Sequence, residues 1–139
     1  MKTLAGSHIL LAATLVLAGC GRSADETQNM QPIETRKAGD LSVVLLNDAG
    51  ELKQGQNSFL VQFRDPQGQP VDVGEVQLGS SMFMPGMAPM SGDSEITPTG
   101  RTGTYHVKSS FAMSGAWRFT ISWNGPRGRG NTSFHTNVR

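Results

Sequence analysis

The sequence predicts an all-β domain, an immunoglobulin-like β-sandwich of about seven short strands spanning residues 40–139. Three observations carry that expectation. β-rich runs recur with apolar residues at alternate positions, the period of a half-buried strand. Turn residues separate these runs at intervals of about 8 to 12 residues, as in two-sheet sandwiches. No stretch of this region keeps helical apolar spacing without a Gly or Pro interrupting it. The 17 Gly and 7 Pro make the chain turn-rich, while 37% hydrophobic residues are enough for one small core in 139 residues.

Each element can be justified in order. Leu41 to Leu46 is a nearly continuous apolar run closed by Asn47-Asp48-Ala49-Gly50. Asn57 to Arg64 alternates Phe59, Val61 and Phe63 with polar neighbours and ends on Asp65-Pro66-Gln67-Gly68, a turn signal. From Val71 to Leu78 the apolar positions are 71, 73, 76 and 78, and the one-residue slip at Gly74 predicts a bulge, with a strand from Glu75 onward. Gly103 to Lys108 places Tyr105 and Val107 on one face. Trp117 to Trp123 places Trp117, Phe119, Ile121 and Trp123 on one face and polar Arg118, Thr120 and Ser122 on the other, the pattern of a core strand. Asn124 to Asn131 reads as a loop, after which Ser133 to Val138 returns with Phe134 and Val138 inward, completing a terminal hairpin. The expected core is the row Trp117, Phe119, Ile121 and Trp123 facing Phe59, Val61 and Phe63 across the sandwich, flanked by Tyr105 and Val107. A single Cys removes any intramolecular disulfide, so packing must supply the stability.

The start of the chain carries an address. Met1-Lys2 precedes an apolar stretch from Ile9 to Ala18, shorter than the about 20 residues a spanning helix needs, and the stretch ends in small residues. That is the layout of a secretory signal over residues 1–19. The ending Leu17-Ala18-Gly19-Cys20 resembles the bacterial lipobox, which implies cleavage before Cys20 and lipid attachment at its sulfur. Residues 20–39 are then expected to be the lipidated Cys20 and a flexible linker, since Gly21 to Gly39 is polar and aperiodic. These features predict a lipid-anchored protein of the bacterial cell envelope on the periplasmic side, and the acidic residue lying beyond the position after Cys20 favours the outer membrane in a Gram-negative cell.

Composition narrows the chemistry. Twelve Lys+Arg against 11 Asp+Glu give a net charge of +1 with no basic run, so no nucleic-acid partner is expected. No catalytic motif is present, and with Cys20 acylated no nucleophile stands out, so the chain is not expected to be an enzyme. Asp48, Glu51, Asp65, Asp72, Glu75, Asp93 and Glu95 fall mostly in turns, where Asp accepts backbone N–H groups. Arg127 and Arg129 read as solvated charges of the glycine-rich loop.

The densest signal lies between Ser80 and Met90, where Met82, Met84, Met87 and Met90 are four of the chain's 7 methionines. Thioethers are soft, neutral ligands suited to Cu(I) and Ag(I), and a loop with Met at every second or third position can gather three of them. Pro85, Gly86 and Pro89 make the segment a turn-forming loop. Met113 and His106 are further candidate ligands if the sandwich brings their connections near; His106 and His135 both fall on outward strand faces, and His135 ranks below His106. The competing reading is that the same methionines, with Phe83, form an adaptable apolar surface for another protein.

Together these segments resemble the YtkA-like/FixH-like domain over nearly all of residues 40–139. The resemblance is carried by Gly55-Gln56-Asn57, by Asp65 to Val71, by Met82-x-Met84-Pro85-Gly86-Met87, by Gly103-Thr104-Tyr105-His106-Val107 and by Met113-Ser114-Gly115-Ala116-Trp117. It implies an envelope β-sandwich found alone on lipoproteins, beside copper-efflux components, or in membrane-anchored proteins tied to cytochrome oxidase assembly. An efflux or oxidase-assembly protein is therefore the expected partner. Where many relatives carry a His in the methionine loop, this sequence has Ala88-Pro89.

Overall fold

A computed structural model describes residues 27–139. The expected signal, Cys20 and the first part of the linker lie outside the described residues. Eight strands follow one another: β1 (Gln31–Ala38), β2 (Leu41–Asn47), β3 (Gly55–Arg64), β4 (Glu75–Met82), β5 (Met90–Pro98), β6 (Thr104–Phe111), β7 (Gly115–Gly125) and β8 (Gly128–Val138). All the pairings between them are antiparallel, in the order β1-β2-β3-β6-β5-β4-β7-β8. β5 is the corner strand. Its first residues, Met90 to Gly92, pair with β4, and from Asp93 it pairs with β6, so one strand serves both layers. The far edges nearly close, because β1 lies near β8 and an isolated parallel bridge joins Leu52 to Val138.

The core follows the alternation in the sequence. Trp117, Phe119, Ile121 and Trp123 are buried, as are Phe59, Val61, Phe63, Tyr105 and Val107. The two layers meet through edge-to-face ring contacts, Phe59 with Phe119 at 6.4 Å between centroids and Phe63 with Trp123 at 5.3 Å. Phe134 and Val138 point inward as expected, and Phe134 stacks on Phe119. In β2, Leu41, Val43 and Leu45 face this core, while Val44 and Leu46 form a second small cluster with Leu60, against which Met30 packs. That is why the run reads as continuously apolar: both of its faces are covered.

Three boundaries differ from the sequence expectation. The linker does not extend to residue 39, because Gln31–Ala38 forms β1 and pairs with β2 along its length, with a register shift between Pro32 and Glu34. The ordered domain therefore begins before residue 40. β4 starts at Glu75 as expected, but the slip at Gly74 is a turn into the strand rather than a bulge within one: Val71 to Gly74 is not strand, the segment packs through Val73, and Gly74 takes φ 79°. A side chain at Gly74 would strain this turn, since a Cβ on it would stand 2.5 Å from the Asn124 carbonyl oxygen. The loop expected over Asn124 to Asn131 is only Pro126 and Arg127, with β7 and β8 paired up to Gly125 and Gly128.

Two of the motif segments close turns. Asp65 accepts backbone N–H bonds from Gln67 and Gln69 at 3.0 and 2.9 Å, and the Asp65 carbonyl accepts one from Gly68. Asn57 ties the entry to β3 by bonding both the N–H and the carbonyl of Lys53.

Candidate functional site

The methionine segment is the connection between β4 and β5. Met82, the last residue of β4, pairs directly with Met90, the first residue of β5, so the two side chains share the inward face of the hairpin base. The tip is built by Pro85 and Gly86. Pro85 fixes the first turn position, Gly86 takes φ 77°, and the Met87 N–H donates to the Met84 carbonyl at 3.2 Å, which is a type II turn. The chemistry of the loop is thus set by its neck and its tip. Met82 is buried in the core, Met84 and Met90 are half-buried against it, and Met87 stands exposed.

The β6–β7 turn arrives at the same end. Gly115, at φ 133°, leaves room for the Met82 methyl, which a Cβ at that position would meet at 2.6 Å. Two residues before it stands Met113, whose carbonyl accepts the Trp117 indole N–H at 3.0 Å while its side chain is partly exposed. The two loops therefore meet at one end of the sandwich, and Met82, Met84, Met87, Met90 and Met113 all lie there.

His106 is not brought to them. It pairs across β6 with Leu60 and Thr97, and Thr97 is seven residues along β5 from Met90, about 23 Å at strand rise. Its side chain sits on the outer face, with Nε2 2.7 Å from Ser58 Oγ. The histidine that does approach the methionine loop is His135. Register places Ser81, Arg118 and His135 side by side across β4, β7 and β8, and with Phe83, Pro89 and Ala116 they line a groove of about 490 Å³. No sequence signal links residues 83 and 135; only the pairing of three strands does.

Among the described residues, no group of three or more His, Cys, Asp or Glu side chains could hold a metal ion. The donors that the loop's own side chains offer are the thioethers of Met84 and Met87, with Met82 and Met90 at its neck. They need no deprotonation, and their softness matches a monovalent d¹⁰ cation.

The YtkA-like family matches residues 35–122. The chain belongs to that family. The matched region of this YtkA-like domain opens inside β1 and takes in both the methionine hairpin and the Met113 turn, and it stops within β7. Among solved structures, the domain is similar to the Lin-41 filamin domain, with 17% identity, a TM-score of 0.48, and coverage of 76% of this chain and 98% of that one. It is also similar to a DUF4426 family protein from Pseudomonas aeruginosa, with 17% identity, a TM-score of 0.49, and coverage of 76% and 96%. No curated protein matches the chain.

Proposed function

We propose that this YtkA-like chain is a lipid-anchored module of the bacterial envelope that binds Cu(I), or Ag(I), at its methionine end and passes it to an efflux or oxidase-assembly partner. The observation that carries this reading is the convergence of thioethers: the Met82–Met90 pair, the turn that carries Met84 and Met87, and the neighbouring Met113 segment share one end of the domain. Met84, Met87 and Met90 are the natural first ligands, because they combine some exposure with a common loop, and three thioethers suffice for a trigonal site. Met82 anchors the hairpin to the core, and Met113 is the thioether carried by the adjoining β6–β7 turn. X-ray absorption on the Cu(I)-loaded chain tests the reading, with a sulfur-only coordination shell expected. The anchor is tested by fatty-acid labelling, which a Cys20→Ala substitution should abolish.

A second reading is favoured by one specific observation. Phe83 is 75% exposed and Met87 64% exposed. A phenyl ring carries no lone-pair donor atom for a metal, and an exposed ring of this size is what a protein-docking surface uses.

A further inference from the structure

We infer that the groove on the outer face of β4, β7 and β8, beside the methionine loop, docks an extended segment of a partner protein that carries a carboxylate next to a large apolar side chain. This inference rests on different residues from the metal reading and stands without it. The two limbs of the β4–β5 loop supply Phe83 and Pro89 as one wall, Ala116 leaves space on the floor, and Ser81, Arg118 and His135 run across the three strands.

The charge of the groove selects its occupant. Arg118 and His135 are its ionisable lining residues, no carboxylate lines it, and neither side chain is in an ion pair among the described residues. The same face is not uniformly basic, since its opposite end holds Glu75 beside Asn124 and Arg129. A local cation next to an exposed aromatic is the composition of a binding hot spot, with the guanidinium fixing a carboxylate and the ring covering an apolar side chain. A polyphosphate or an anionic membrane would call for a broader basic field than one Arg and one His on a chain of net charge +1.

The test uses the full chain in mild detergent with a copper chelator present, so that metal plays no part. Fluorescein-labelled decapeptides of alternating Phe and Asp, Phe and Lys, or Ala and Asp are titrated by fluorescence anisotropy. The Phe/Asp peptide is expected to bind at least ten-fold more tightly than the other two. Phe83→Ala and Arg118→Glu should each weaken it at least ten-fold, and Arg118→Gln should weaken it less than Arg118→Glu. Arg129→Glu, at the far end of the face, should leave it unchanged. Equal binding of the three peptides, equal effects of Arg118→Glu and Arg129→Glu, or binding to phosphatidylglycerol vesicles without binding to the Phe/Asp peptide would overturn the inference. The substituted side chains are exposed, and circular dichroism confirms that each variant is folded before titration.

Discussion

The methyl group of Met82 occupies the space that a side chain at Gly115 would need: a Cβ there would lie 2.6 Å from Met82 Cε. This contact joins the methionine hairpin to the β6–β7 turn and makes the two loops one structural end. A Gly115→Ala substitution adds both that clash and the strain of an L-residue at φ 133°. It should lower stability by about 1–3 kcal/mol in urea unfolding. Because the contact is direct, the loss should be non-additive with substitutions at Met82.

Phe119 is the centre of the ring cluster, with centroids 6.4 Å from Phe59 and 5.7 Å from both Phe111 and Phe134. Phe119→Ala empties that position and should cost about 3–5 kcal/mol. A loss below about 1 kcal/mol in chemical denaturation would mean that the two layers do not meet through this ring.

How much of this was legible in the sequence depends on what fills the inward positions. β3, β6 and β7 place large apolar residues inward, so their alternation is plain in the sequence and the expected core row is the buried one. β5 does not read as a strand because its inward residues between Met90 and Ile96 are Gly92 and Ser94. Ser94 is satisfied by Ser109 at 2.7 Å, so a polar residue serves inside the sandwich, and a Cβ at Gly92 would strike Ser80. β1 reads as linker because it offers little beyond Ile33 and Ala38 to the core and is held by its backbone pairing with β2. At the candidate site, the local Met cluster was visible, since spacing alone places four thioethers on one loop. The nearness of His135 and the distance of His106 were not, because both follow from register between strands far apart in sequence.

Tyr105, the one tyrosine of the chain, donates its hydroxyl to the Gly74 carbonyl at 2.6 Å. Burial, and then the neighbouring Asp72 charge, raise its pKa above the ordinary 10.0. The folded state thus holds this proton more tightly than the unfolded chain. The resulting stability is fully present below pH 10.0 and is lost as pH rises from there through the raised folded value. Tyr105→Phe should cost about 1 kcal/mol at neutral pH, by leaving the Gly74 carbonyl without its donor, and should flatten the alkaline decline. Phenolate absorbance, read alongside thermal melts across that range, checks both effects.

The most direct test of the central claim is a Cu(I) titration of the full chain under reducing conditions against a competing chelator, at about pH 7 and again at about pH 5. The account predicts stoichiometric binding whose affinity changes little between the two pH values, because thioethers do not titrate. It also predicts that the triple substitution Met84→Leu, Met87→Leu and Met90→Leu, which keeps apolar bulk and fold, abolishes that binding. Undetectable Cu(I) binding by the native chain, full binding by the leucine variant, or a steep loss of affinity toward pH 5 as imidazole protonates would contradict it.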